Sequence, residues 1–337
     1  ALGNEPASPW RALAAEARHA VLPLAPVVPL LAAWDVVLLA DPASRLGAVR
    51  DVLLRLPVLQ ALVSLALLFG ALLLMPFLLR LAWGARPLPA GPLRSRLEAY
   101  AARVGLRSRG FLVWPTGGTV HNAAVVGPLP RFRYVVLTDA LIDDLGEDEV
   151  EAVVAHEAGH ARRGHVLLFF GFSAVLVLAS VLPHAFGAAL GGPLAALDPL
   201  LRTVLMIVLW VGVVFGWISR RFEQEADVFG LDTIVVPPRG EGAAPDLHPF
   251  ARALERIAEA TGGIREMTGW RHFSIADRVD FVHRYTTDPA VAARHRRSLR
   301  LLRTTLLAVV AGAGFLAAVH VPGELAAAGR IWDMARD

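Results

Sequence analysis

One stretch of the chain, His156-Glu157-Ala158-Gly159-His160, has residue types and spacing that point at a reaction. Two histidines four residues apart on a helix lie on one face, one turn from each other, so both imidazoles reach a single ion. Neutral imidazole is a natural zinc ligand at about 2.0–2.1 Å. The glutamate directly after the first histidine is placed to take a proton from an attacking water, not to bind the metal. The chemistry implied is metal-assisted hydrolysis. The bland alternative is a polar helix face with incidental histidines. The helix argues against it, because Val150, Val153 and Val154 give it an apolar face toward a core.

A zinc hydrolase needs a third protein ligand and keeps one position open for water. Glu223 and Asp227, four residues apart, share a helical face in the segment 219–227. Glu223 is the candidate ligand and Asp227 the carboxylate that orients a ligand imidazole. The same residues also read as an exposed acidic patch balancing Arg220 and Arg221. Glu225 falls on a different face and is expected to matter little to the metal. His165 reads as a structural or interfacial histidine, His184 and His320 as interfacial residues near the ends of apolar runs. Asp198 and Asp232 have no constellation around them.

These residues together resemble the membrane metallopeptidase family that includes bacterial HtpX and the CAAX prenyl proteases. The resemblance rests on His156-Glu157-Ala158-Gly159-His160 with Gly164-His165 following, two apolar spans, then Glu223-x-x-Ala226-Asp227. It extends to His121-Asn122-Ala123, which looks like the family's substrate-binding edge strand. His272 with Arg278 six residues later is similar to a late His-Pro element, although Phe273 stands where the Pro would be. The resemblance covers about residues 90–285. It implies a gluzincin site with one Zn2+ held by His156, His160 and Glu223. Glu157 is then general base and acid, Asp227 the orienting carboxylate, Asn122 and Ala123 substrate-binding. His272 or Arg278 would hold the substrate or the tetrahedral oxyanion.

The elements that position these residues follow from hydropathy. The chain of 337 residues is 55% hydrophobic and only 19% charged, against about 25% charged in ordinary soluble domains. Four stretches approach or exceed the roughly 20 apolar residues that span a bilayer: 56–79, 166–190, 203–218 and 306–321. A fifth, 20–40, is interrupted by Pro23, Pro26, Pro29 and Asp35, and lacks the short core and cleavage site of a signal peptide. The chain has no Cys, so disulfides, thiolate metal sites and cysteine nucleophiles are excluded. All 33 basic residues are Arg. They flank apolar runs and form no single stripe, which speaks for a lipid bilayer and against nucleic acid. Residues 80–165 and 220–303 hold most of them, which places both segments in the cytoplasm and the 191–199 connection outside.

Between the spans, Leu93, Leu97, Tyr100 and Val104 have helical spacing. Strand-like runs follow at 111–114, 119–126 and 134–137. Asp144 with Glu147 three residues on signals the start of the motif helix. The expected architecture is an α-helical membrane protein with an α+β gluzincin-type metallopeptidase domain. Its parts are a membrane region of one or two spans (1–82), a catalytic part with the motif helix (83–165), and a two-span hairpin (166–219). A second catalytic part (220–300) and a last span with its tail (301–337) complete it. The expected function is a zinc endopeptidase acting on peptides or membrane proteins, in bacterial inner-membrane quality control or processing. The alternatives are a metallopeptidase-type signal transducer and a CAAX-type processing protease. A site-2 type intramembrane protease fits less well, because its motif lies within a span and its remaining ligand comes from an Asn-x-x-Asp-Pro element absent here.

Overall fold

The computed structural model describes residues 32, 36–37, 39–41, 43–181, 199–234, 248–260, 265–269 and 273–334. The candidate first span (20–40) and the 191–199 connection lie almost wholly outside the described residues, as do His184, Asp198 and His272.

Helix α1 (Arg45–Arg55) leads into α2 (Pro57–Ala82), which begins on a proline where the missing N–H costs nothing. Its apolar side chains do not all find protein partners: Leu62, Leu74 and Leu81 are exposed. Among the described residues, three helices are long and apolar enough to cross a membrane, Pro57–Ala82, Val204–Thr233 and Pro289–Ala327. Glu147–Arg163 and His165–Ala179, bent by 46°, make a fourth if counted together. In the three single spans only 17–22% of the most apolar window is buried inside the protein. Apolar surface left open on this scale suits lipid better than water.

After α2 the chain forms β1 (Arg86–Pro87), α3 (Pro92–Val104), β2 (Phe111–Trp114), β3 (Ala123–Val126) and β4 (Tyr134–Thr138). The sheet order is β1-β2-β4-β3, with β2 and β4 parallel and the outer pairs antiparallel. β1 has no counterpart among the expected strands; two exposed residues carry no alternation to read. β3 is shorter than the expected 119–126. Asp139 draws the backbone N–H groups of Thr116 and Gly117 to its carboxylate at 2.9 and 2.8 Å, so the chain turns here before it extends.

Next come α4 (Asp139–Asp144) and α5 (Glu147–Arg163), the motif helix. The expected start at Asp144 is corrected. Asp144 closes the separate helix α4, Leu145 is extended, and the Glu149 carboxylate accepts from the Gly146 N–H at 2.9 Å to cap α5. Gly164, at φ +69°, ends α5 and turns the chain into α6 (His165–Val181).

The second half comprises α7 (Pro199–Ile207), a π-helical run Val208–Phe215, α8 (Gly216–Thr233), α9 (Pro249–Ala260), α10 (Ile275–Thr287) and α11 (Pro289–Met334). The 219/220 boundary expected from sequence falls inside α8, and 300/301 inside α11. One core joins the two Arg-rich segments: Leu97, Val135, Leu137, Val150 and Val154 pack with Phe250, Ala253 and Val282. A second cluster joins α2, α6 and α11 through Val58, Leu65, Val175, Leu178, Ala313 and Ala317. The Glu324 carboxylate of α11 accepts from the Val58 and Leu59 N–H groups, both at 2.9 Å, capping α2.

Candidate metal centre

α5 and α8 cross at small residues. A Cβ at Gly159 would lie 2.9 Å from the Ala226 Cα, so only glycine permits this approach. The approach brings the Glu223 carboxylate over the two histidines of α5. His156 Nε2 and His160 Nε2 are 3.2 Å apart. Glu223 Oε2 lies 3.6 Å from the first and Oε1 3.5 Å from the second. In a tetrahedral site with bonds of about 2.05 Å, ligand atoms stand about 3.3 Å apart. The three donors therefore already have the separation that a zinc-sized ion requires. Among the described residues they are the one group of three or more with metal-binding geometry.

Asp227, fully buried, takes His156 Nδ1 at 2.8 Å. Arg278 of α10 forks onto it, Nη2 to Oδ1 at 2.6 Å and Nε to Oδ2 at 3.1 Å. Such a bidentate pair fixes a buried carboxylate in orientation as well as charge. Arg278 also lines the cavity, but two of its nitrogens are committed to Asp227.

Glu157 points to the sheet side, where its Oε2 accepts from the Val125 N–H of edge strand β3 at 3.2 Å. Burial raises its carboxyl above the ordinary range, against the opposing pull of His156. On His156, burial opposes charge, yet hydrogen bonds to Asp227 and Glu223 outweigh it and hold the pKa at about 10. Burial, followed by the charge on His156, pushes His160 down to about 3.

A cavity of about 200 Å³ opens onto His156, Glu157 and Glu223. Phe250, Leu254 and Ile275 form an apolar wall, and Asn122 and Ala123 line the β3 side. Asn122 is tied by its backbone to Thr138, N–H to Oγ1 and carbonyl to N–H, each at 3.0 Å. His121 also lines the cavity and is held by Asp144 at 2.6 Å.

Glu225, expected to matter little to the metal, lies on the far side of His160 from the candidate ligand triangle. Glu225 is buried, and its Oε2 lies 3.0 Å from His165 Nε2. His165 Nδ1 in turn lies 2.9 Å from His160 Nδ1. His165, expected to be structural or interfacial, thus touches a candidate ligand directly. Its signal in the sequence is faint: five residues from His160, across a helix-ending glycine.

The sequence matches the model of Peptidase family M48 over residues 87–262, just over half of its length. The chain belongs to peptidase family M48. It is 30% identical over 188 residues to the CAAX prenyl protease 1 homolog of Arabidopsis thaliana, covering 51% of this chain and 41% of the relative. It is 29% identical over 176 residues to the Protease HtpX homolog of Aeropyrum pernix, covering 49% and 53%. The chain thus spans about half the length, or less, of these curated relatives. The crystal structure of S. mikatae Ste24p aligns with a TM-score of 0.47 at 20% identity, over 67% of this chain and 60% of that one.

Proposed function

We propose that the chain is a membrane-embedded zinc endopeptidase, with His156, His160 and Glu223 as ligands. The observation that carries the reading is the triangle of donor atoms at 3.2, 3.5 and 3.6 Å. Zinc bound there supplies Lewis acidity toward a peptide carbonyl and makes water more acidic. The protein's own side chains do the rest. Asp227, steadied by Arg278, fixes the His156 ring. Glu157, whose carboxyl burial raises above its ordinary range, accepts the proton of the attacking water and returns it to the leaving amine. The β3 edge offers backbone to an extended peptide at Ala123, Asn122 lines the same side of the cavity, and the Phe250, Leu254 and Ile275 wall excludes water beside it.

The Arg distribution supports a site facing the cytoplasm, and the likeness to the Protease HtpX homolog supports a bacterial inner-membrane protease that cleaves membrane proteins for quality control or processing. CAAX-type processing is the second reading, favoured by the similarity to the Arabidopsis thaliana CAAX prenyl protease 1 homolog. The test is hydrolysis of unmodified and prenylated peptides by the purified full chain. Activity removed by chelator, restored by zinc and lowered at least about a hundredfold in Glu157→Gln supports the endopeptidase. Chelator-resistant cleavage, or full activity in a zinc-loaded Glu157→Gln protein, refutes it. Cleavage confined to prenylated peptides moves the assignment to the second reading.

A further inference from the structure

The two histidines of the motif are held by different partners. His156 gives its Nδ1 to Asp227, the carboxylate four residues from Glu223. His160 turns its Nδ1 the other way, to His165 Nδ1 at 2.9 Å. With His160 Nε2 directed at the ion, its Nδ1 must carry the proton and donate to His165 Nδ1. That leaves His165 Nε2 protonated, and Glu225 Oε2 stands 3.0 Å away to accept from it. Every nitrogen and proton in the series is matched.

The surroundings permit little movement. His165 is 1% exposed, and its ring stacks on Phe222 at 4.1 Å with 1° between the planes. Glu225 accepts from Arg303 Nε at 3.1 Å, and Arg163 Nε approaches it at 3.5 Å. Arg303 also donates through Nη2 to the Arg163 carbonyl at 2.7 Å, on the last residue of α5. Arg303 lies on α11, at the last charge before its apolar run. Packing alone gives no reason for this arrangement, since a buried ionic group adds little stability over apolar residues of similar volume.

We propose that His165 and Glu225 are positioning residues that orient His160 toward the metal, and that Arg303 anchors them from the C-terminal membrane helix. This rests on the zinc reading above. The test uses the purified full chain in detergent and measures zinc affinity by chelator competition, together with the visible spectrum of the cobalt-substituted protein. His165→Ala and Glu225→Ala are each expected to weaken zinc 10–100-fold and to shift the cobalt bands. The double variant is expected to lose no more than about threefold beyond the worse single, because both act through one bond to His160. Glu225→Gln, whose amide oxygen still accepts from His165, is expected to recover most of the affinity.

Wild-type zinc affinity in both Ala variants, with only the metal-free protein melting lower, makes the pair a packing element and overturns the proposal. Additive losses in the double variant overturn it as well. If the Ala variants do not survive purification, His165→Phe, which keeps a ring against Phe222 but no acceptor, and Arg303→Gln take their place, and wild-type affinity and spectrum in both overturn the proposal in the same way. His160→Ala separates the metal site from the pair behind it. Zinc retained there sinks the metal site itself; zinc lost there but kept in His165→Ala sinks only the positioning pair.

Discussion

Glu157, Glu223 and Asp227 are carboxylates of one site, and each is fixed to a different task by what its oxygens face. Glu157 meets a backbone N–H of the edge strand, Glu223 meets two imidazoles, and Asp227 meets one imidazole and a guanidinium. Asp227→Ala frees the His156 ring without removing a ligand, so zinc affinity is expected to fall 10–100-fold, measured by chelator competition. Arg278→Ala acts differently, because it strips the compensating charge from a fully buried carboxylate. A loss of about 3–5 kcal/mol is expected in denaturant unfolding of the detergent-solubilised protein. Equal stability of Arg278→Ala and wild type would mean that the pair is not structural. Most of this constellation is legible in the sequence, because the four-residue steps from His156 to His160 and from Glu223 to Asp227 put each pair on one helical face. Glu225 does lie on another face, since two residues rotate about 200° around a helix. What the spacing could not say is that this other face meets His165, which the turn at Gly164 folds back against His160.

At the scale of elements, the site exists because α5 and α8 come closer than ordinary side chains allow. Gly159 faces the Ala226 Cα and Gly230 faces the His156 backbone nitrogen, where an added Cβ would stand at 2.9 and 3.3 Å. Gly159→Ala is therefore expected to force the helices apart, lowering stability by about 1–3 kcal/mol as overpacking does. It should also reduce zinc content, because Glu223 rides on the helix that moves. Normal zinc content and stability in Gly159→Ala would show that the contact has slack. The helices at 57–82 and 92–104 are readable from apolar runs and periodicity, and two of the strands nearly to the residue. The start of α5 is not, because Asp144 and Glu147 satisfy a local capping pattern that the fold does not use. Buried Leu145 and extended Gly146 break the helix between them, and the carboxylate of Glu149 closes the cap instead.

At the scale of the molecule, α11 is pinned at both ends of its apolar run. Arg303 holds Glu225 and the end of α5, while Glu324 caps the start of α2. The helix between them carries no Asp, Glu or Arg and rises about 31 Å, close to the roughly 30 Å of a bilayer's hydrocarbon core. The sequence shows the apolar run but not its partners, because such pairings join residues more than 70 positions apart. A single core containing both the sheet and α9 requires both on one side of the membrane. The chain has no native Cys, so a thiol introduced at Arg107 or Arg256 is the only one available for labelling. Both are expected to react with an impermeant reagent from the same, cytoplasmic, side. Labelling from opposite sides would separate α5 from α8 and leave no shared ion. The central claim is that a carboxylate arriving on the second side of a membrane hairpin completes the metal site begun by the two histidines. Its most direct test is the zinc content of purified wild type and Glu223→Ala in the same detergent, followed by chelator competition. About one equivalent is expected in wild type, and in Glu223→Ala an ion stripped at chelator concentrations that leave wild type loaded. A Glu223→Ala protein that keeps its full equivalent with wild-type affinity would contradict the claim.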